Sequence, residues 1–341
     1  MSDTIRIGIL GLSHDHIWGE LSALQPLAGQ QLLVAADPAQ ELRDKVARDF
    51  GCETSDSYDA VIERDDIDAV FVYGSNRTGA EIATKAAKAG KHVMIEKPMA
   101  ADLAGAERLL AAANESGVKL MINWPFAWWP QMQHALKLIK DAEIGRVWQV
   151  RYRAAHEGPK ELGCSQHFCD WLYDPVENGG GALMDYCCYG ANLTSTILGL
   201  PDEVTGETGI LCKSGIEVED NALLILKYPN SIAVSEASWT QIGKLTAYQT
   251  TIFGEWGTIM VEPRDGGGVL LADEQRPDGY NVDVPESPAH LRSAPAHFLW
   301  LIGGGGPIHP LCDPVHGRNA QEILEAGLKS AKEGRRISLR D

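Results

Sequence analysis

Basic residues are scarce in this chain. It carries 30 Lys+Arg against 47 Asp+Glu, a formal net charge of −17. A surface that acidic repels phosphate backbones and anionic lipids, so neither nucleic acid nor a membrane is expected as a partner. No apolar run is long enough to span a bilayer. The opening MSDTIRIGILGL lacks a basic stretch ahead of a long apolar core, and reads as a first β-strand rather than a signal peptide. The 7 cysteines include no C-x-x-C pair. An odd, scattered set suits a reducing cytoplasm better than a disulfide framework. Cys187 and Cys188 sit side by side in an apolar run, where each is expected to be buried as a small hydrophobe.

What is present is a chain of 341 residues, 44% hydrophobic and 23% charged, ordinary for a globular protein and long enough for two domains. The N-terminal part alternates two patterns. Short apolar runs (5–10, 31–37, 67–73, 92–98, 118–123) read as buried strands. Between them, 16–27, 41–51, 78–91 and 103–117 read as helices, several stopped by glycine. Such alternation with short connections predicts an α/β fold with a doubly wound parallel Rossmann sheet. From 144–156 onward the pattern changes to alternating segments joined by hairpin-like turns. This predicts an α+β domain with a large, open, mostly antiparallel sheet. A long irregular loop (157–178), a helix (182–198), a late helix (319–334) and one short strand complete it. The expected boundary lies between 123 and 124.

Open α/β sheets bind ligands at the carboxyl ends of their strands. The first strand delivers GLSHDH (11–16) there. Against the dinucleotide fingerprint G-x-G-x-x-G, Gly11 is in register while Ser13 and His16 replace the other glycines. A nucleotide loop and a plain turn are both open readings of this segment alone. Asp37 ends the second strand, where an acid accepts hydrogen bonds from the adenosine ribose and repels a 2′-phosphate, favouring NAD over NADP. It also has the place of a helix N-cap before Pro38, and the two roles are compatible.

The run GGGALMDYCCYGAN (179–192) carries Asp185 and Tyr189. If it is α-helical, the two share a face at i and i+4. A cleft face and a packed core are both open for it. The order of GKHVMIEKPMA, IGRVWQVR, GGGALMDYCCYGAN and SAKEGRRISL after a dinucleotide domain resembles the Gfo/Idh/MocA family of oxidoreductases over nearly the whole chain. Glu96-Lys97-Pro98 after a strand and the G-G-G-x-x-x-D run are the most specific motifs. Tyrosine four residues after the aspartate, where many members carry histidine, is similar to the branch of glucose–fructose oxidoreductase and the dihydrodiol and xylose dehydrogenases. Three features depart from common family patterns: the fingerprint at Ser13 and His16, Gly79 in place of a histidine, and Asn192 in place of an aspartate.

The resemblance implies hydride transfer between NAD(P) and a carbinol carbon of a sugar, cyclitol or related polyol. On it, residues 1–123 form the cofactor domain and 124–341 a substrate-binding and oligomerisation domain, with a homo-oligomer formed through the open sheet. It places Gly11, Leu12, Ser13, His14, His16 and Asp37 at the cofactor, joined by Ser75, Asn76, Glu96 and Lys97. Catalysis falls to Lys97, Tyr189 and Asp185. Trp124, His156 and Trp239 join Asp185 and Tyr189 at the substrate. A free phenol, pKa about 10, is a poor base at neutral pH, and an ammonium such as Lys97 favours its ionised form. Lys97 also stabilises oxyanion charge directly, and a cis Lys97–Pro98 bond would turn it toward the cofactor. Glu96 has two readings, a contact at the nicotinamide end or a partner for a nearby cation. Packing is the commoner use of such tryptophans, and a core carbonyl is the alternative partner for His156. Cys164, His167, Cys169 and Asp170 lack a usual zinc spacing, so no metal is expected. The competing reading is a nucleotide-sensing regulatory or scaffold protein on the same fold, against which the retained Lys97, Asp185 and Tyr189 weigh.

Overall fold

The computed structural model describes residues 4–262 and 267–340. The chain forms two compact units. The first comprises residues up to Asn123, Cys164–Gly179 and Ala289–Arg318. The second comprises Trp124–Gly163, Gly180–Pro288 and the residues from Asn319 on. The sequence reading puts 164–179 and 289–318 in the second domain, whereas both belong to the first. Apolar burial is the reason. Phe298 packs edge-on against Phe71 with ring centroids 5.9 Å apart, and Phe168 packs on His14 at 4.7 Å.

The first unit starts β1 (Ile5–Leu10), α1 (His16–Leu24), β2 (Gln30–Ala36), α2 (Gln40–Phe50), β3 (Glu53–Ser55) and α3 (Tyr58–Ile62). It continues β4 (Ala69–Val72), α4 (Asn76–Lys88), β5 (His92–Glu96), α5 (Leu103–Ser116) and β6 (Leu120–Asn123). The six strands pair in parallel in the order β3-β2-β1-β4-β5-β6. Every residue of β4 and of β6 is buried, which is why these strands read as continuous apolar runs. β3 and α3 escape the sequence reading: β3 is a polar edge strand of 3 residues and α3 a short helix capped by Ser57.

The second unit opens with α6 (Pro130–Lys140) and β7 (Val147–Ala155). The chain then gives α7 (Gln166–Leu172) to the first unit, inside the segment that reads as irregular loop. Ser165 caps this helix, its Oγ accepting the Phe168 N–H at 3.1 Å, while Phe168, Cys169, Trp171 and Leu172 are buried. Such a cap contributes roughly 1 kcal/mol. A π-helical turn (Leu183–Cys187) and α8 (Cys188–Leu198) follow in the second unit. Next come β8 (Glu203–Gly209), β9 (Asn221–Lys227), β10 (Ile232–Ser238), β11 (Gln249–Gly254), β12 (Gly257–Val261), β13 (Val269–Asp273) and β14 (Tyr280–Val282). The first unit receives α9 (Ala294–Ile302), and α10 (Pro314–Glu333) and β15 (Ile337–Ser338) come last.

The sheet of the second unit has 9 strands in the order β14-β13-β12-β11-β7-β10-β9-β8-β15. All pairs are antiparallel except β7 with β10. One face is covered. Val150, Tyr152 and Ala154 of β7 are buried, as are Ala233, Ser235 and Ala237 of β10, with more exposed residues between them. α8 lies on that face: a side chain at Gly190 would collide with Ser235 Oγ.

Candidate active site

In the first unit the candidate residues gather at the carboxyl ends of β1, β2, β4 and β5. The loop after β1 is tied to both neighbouring strands. Gly11 N–H donates to Ala36 O at 2.8 Å and His14 N–H to Tyr73 O at 3.0 Å. Gly11 has φ +93°, and a Cβ there would lie 2.7 Å from Gly74 N, so glycine is required for this close approach. Leu12 N–H donates to Asp37 Oδ2 at 2.7 Å. The other oxygen, Oδ1, accepts the Ala39 N–H at 2.8 Å. Asp37 is therefore not the N-cap of α2; that position is Ala39, with no side-chain cap. It closes an Asx turn two residues earlier. Burial pushes the Asp37 carboxyl up, opposed by these N–H groups and by His167 and Arg43. The Arg43 guanidinium is committed to the carbonyls of Asp37 and Pro38, at 2.6 and 2.8 Å.

Segment 164–179 engages the same edge. Ser165 N–H donates to Asp15 Oδ2 at 2.8 Å and His167 Nε2 meets Glu41 Oε1 at 2.5 Å. Ser75 caps α4 and also donates through Oγ to Glu177. Asn76 Nδ2 donates to Asn178 Oδ1 at 2.7 Å. His14, 2% exposed, is enclosed by Phe168, Trp171 and Tyr73. Burial, then His16, then Lys97 hold its imidazole well below the usual histidine range. Its Nδ1 accepts the His16 N–H at 3.2 Å, which puts the proton of the neutral ring on Nε2. The Trp171 indole N–H is buried without an acceptor among the described residues. A buried donor of this kind at the switch point between β1 and β4, beside the Gly11 turn, fits a bound dinucleotide.

Lys97 is 3% exposed, and its peptide bond to Pro98 is cis. Its backbone N–H donates to Asn123 O at 3.2 Å. The preceding Glu96, 4% exposed, meets His16 Nδ1 through Oε1 at 3.1 Å. Through Oε2 it accepts from Asn123 Nδ2 at 2.7 Å. The same Asn123 nitrogen lies 3.0 Å from Glu20 Oε1 and 3.0 Å from the Tyr73 hydroxyl. Burial and the neighbouring Glu96 push Glu20 up to about 7, while Asn123 and His16 oppose the shift. Burial, Glu20 and Glu96 raise the Tyr73 phenol well above its usual value. Glu20, Asn123 and Tyr73 are members of this cluster that the sequence reading missed. Glu20 alone left a signal there, at i+4 from His16 on α1.

The Glu20 shift has a stability consequence. A carboxyl whose folded pKa exceeds its ordinary 4.5 stabilises the fold below that value, and the contribution is lost as pH rises toward about 7. Because Glu20 is half-buried, the loss is on the order of 1–3 kcal/mol. Glu20→Gln is expected to flatten this dependence, giving a higher Tm than wild type above pH 7 and convergence near pH 4.5. Thermal melts across that range measure it, and parallel curves for the two proteins would refute it.

Among the described residues, His14, His16 and Glu96 form a group whose donor atoms all lie within 4.8 Å of one another. Its contacts are those of a hydrogen-bond network. The His14 Nδ1 lone pair is used by a backbone N–H, His16 Nδ1 faces Glu96, and the charge of Lys97 acts on His14. The 164–170 residues pair elsewhere: His167 with Glu41, and Cys169 Sγ with Cys164 O at 3.9 Å.

In the second unit the glycine run approaches backbone. A side chain at Gly181 would collide with Glu219 O. Glu219 Oε1 accepts the N–H groups of Gly181 and Leu183 at 2.7 and 3.0 Å, an acid at a helix start. The expectation of an α-helical face for Asp185 and Tyr189 is corrected here. Asp185 lies in the π-helical turn and Tyr189 in α8, so the wider turn changes the i, i+4 relation and brings in Tyr186. Asp185, 6% exposed, accepts from Trp239 Nε1 at 3.1 Å through Oδ2. Trp239 and Trp124 are fully buried, so Trp239 acts by orienting Asp185 rather than by stacking from an exposed face.

Tyr189 is 5% exposed within an aromatic cluster. Its ring stacks on Tyr152 at 5.9 Å and meets Phe126 at 5.1 Å, Trp124 at 5.7 Å and Tyr186 at 6.0 Å. The Tyr186 and Tyr248 hydroxyls are 2.7 Å apart. Burial first, then Tyr248, Asp185 and Tyr189, hold the Tyr186 phenol well above its usual range, so it remains protonated. His156 stacks edge-on with Tyr186 at 4.9 Å. Its Nδ1 accepts the Gly158 N–H at 2.8 Å. Cys187 and Cys188 are buried, as expected, with Sγ contacts to Ser235 O and Asp185 O.

Two family models match the chain. An oxidoreductase family, NAD-binding Rossmann fold model covers residues 5–124, and a GFO/IDH/MocA C-terminal domain model covers 132–260. The chain belongs to the Gfo/Idh/MocA oxidoreductase family, and its first unit contains a NAD-binding Rossmann domain. Among its relatives is dTDP-3,4-didehydro-2,6-dideoxy-alpha-D-glucose 3-reductase of Actinomadura kijaniata, 34% identical over 60% of this chain and 59% of that enzyme. The match thus spans under two thirds of that relative's length. Inositol 2-dehydrogenase of Rhizobium meliloti is 24% identical over 98% of this chain and 99% of its own. Among solved structures, the aldose–aldose oxidoreductase of Caulobacter crescentus, complexed with glycerol, has the same fold. Its TM-score is 0.80 at 23% identity, covering 98% of this chain and 100% of that one. No helix among the described residues is long and apolar enough to cross a membrane.

Proposed function

We propose that this chain is an NAD-dependent dehydrogenase transferring hydride between nicotinamide and a carbinol carbon of a sugar, cyclitol or related polyol. The observation that carries the reading is the buried Asp185 carboxylate, oriented by the Trp239 indole in a π-helical turn beside tyrosines. A fixed carboxylate is suited to accept hydrogen bonds from substrate hydroxyls, and π-helical turns are frequent at functional sites. The cofactor, when bound, supplies the hydride acceptor. Lys97 supplies positive charge to the reacting oxygen, Tyr189 takes the hydroxyl proton, and Asp185 sets the hydroxyl's position. The relatives' names, a sugar-nucleotide reductase and an inositol dehydrogenase, support the substrate class. Fluorescence detection of NADH against a panel of sugars, cyclitols and dihydrodiols tests it. Dinucleotide binding without turnover on any member would favour a nucleotide-sensing protein instead.

NAD is favoured over NADP because Asp37 opposes a 2′-phosphate and Arg43 is turned to carbonyls. Gly11, Leu12 and Ser13 line the phosphate side of this reading; His14, His16, Ser75, Asn76 and Glu96 complete the cofactor set. Asp37→Ser is expected to relax the preference by roughly tenfold or more, the scale of one charge interaction. Tighter binding of NADP than NAD by the wild type in a titration would reject the assignment. The odd, scattered set of cysteines suits a cytoplasmic setting. Exposed Trp148, Ile225 and Ile232 on the open sheet suit a homo-oligomer, to be read by light scattering.

A further inference from the structure

Two carboxylates in the first unit share one amide. Asn123 Nδ2 is 2.7 Å from Glu96 Oε2, 3.0 Å from Glu20 Oε1 and 3.0 Å from the Tyr73 hydroxyl oxygen. Glu96 is buried and Glu20 half-buried. Two like charges so placed disfavour double ionisation, and burial with Glu96 nearby pushes the Glu20 carboxyl up to about 7, so Glu20 holds a proton near neutrality. The other titratable groups around them are few. On α1, His16 faces Glu96. After β4 comes Tyr73, kept as a phenol. Lys97 follows Glu96, and the neighbouring His14 is held neutral by burial. α9, packed beside α1, brings His297, which burial and His290 lower to about 4.

The pair's place in the fold gives it a use. Sheet order reverses between β1 and β4, so a dinucleotide lies across that point. Asp37 ends β2 on one side. Glu96 ends β5 on the other, the half that receives the nicotinamide. The oxidised nicotinamide is a pyridinium cation and the reduced ring is neutral. A cation in that half favours the doubly ionised pair, and a neutral ring does not.

We infer that the Asn123-bridged pair Glu20–Glu96 is a proton-linked selector between the oxidised and reduced cofactor. The proton on Glu20 leaves when the oxidised form binds and stays when the reduced form binds. This rests on the reading that the chain uses a nicotinamide dinucleotide. Linkage is reciprocal, so affinity for NAD⁺ rises with pH while affinity for NADH stays flat.

Isothermal titration at pH 6, 7 and 8 with NAD⁺, NADH and ADP-ribose tests this, repeated at pH 7 in PIPES and in imidazole to count protons. The expected result is roughly tenfold tighter NAD⁺ binding from pH 6 to pH 8, with up to about one proton released, and no such change for NADH or ADP-ribose. Glu20→Gln keeps the shape of the side chain and mimics its protonated form. It is expected to bind NAD⁺ with no pH dependence and no proton release. Equal pH dependence for NAD⁺ and NADH, or full linkage retained in Glu20→Gln, overturns the inference alone. If no ligand binds at any pH, the dinucleotide reading falls with it.

Discussion

Lys97→Ala is expected to lower kcat by roughly 10³ or more, to background, with the fold intact. The substitution removes a buried cation, at 3% exposure, while the backbone hydrogen bond from position 97 to Asn123 O remains. Since the ammonium acts on charge that develops during reaction, the loss should fall mainly on kcat and less on KM. Unchanged turnover of an identified substrate, with an unaltered circular dichroism spectrum, would remove the lysine from the chemistry. Lys97→Arg separates charge from shape. A planar guanidinium keeps the charge but not the compact geometry, so only partial recovery is expected.

Tyr189→Phe is expected to lose roughly 10²–10⁴ in kcat, the range for a general acid–base group. The phenyl ring retains the stack on Tyr152 and the edge contacts with Trp124 and Phe126, so the variant should fold and bind NAD as the wild type does. A tyrosine serving only the aromatic cluster would give nearly full activity as phenylalanine, with a small stability change. Tyr186→Phe is the useful companion. Tyr186 is held as a neutral phenol and shares a hydrogen bond with Tyr248, so its loss should act on KM more than on kcat. Steady-state kinetics on both variants distinguish the roles.

The strands of the first unit were legible because burial on both faces writes continuous apolar runs into the sequence. The family motifs at 96–98 and 179–185 were legible because they are local. What escaped was short or long-range. α7 has 7 residues, too few for periodicity, and is defined by the Ser165 cap and by what Phe168 and Trp171 cover. The π-helical turn inserts its wider spacing without any mark in the residue types, so an α-helical face was the natural reading for Asp185 and Tyr189. The carboxylate pair is farther still from local pattern: Asn123 reaches Glu96 over 27 positions and Glu20 over 103. Only the order of strands β5 and β6 beside α1 makes that cluster.

The composition of the first unit bears on how the protein is made. Its sheet is encoded by the opening third of the chain, yet Phe71 in β4 is packed by Phe298 from α9. On a ribosome releasing about 5–20 residues per second, the parallel sheet emerges well before the segment that covers it. The nascent nucleotide domain therefore waits with an apolar face unfinished while strands β7 to β14 of the second sheet are synthesised. A fragment cut at the 123/124 junction would keep that unfinished face permanently, and would be a poor candidate for expression as an independent Rossmann domain.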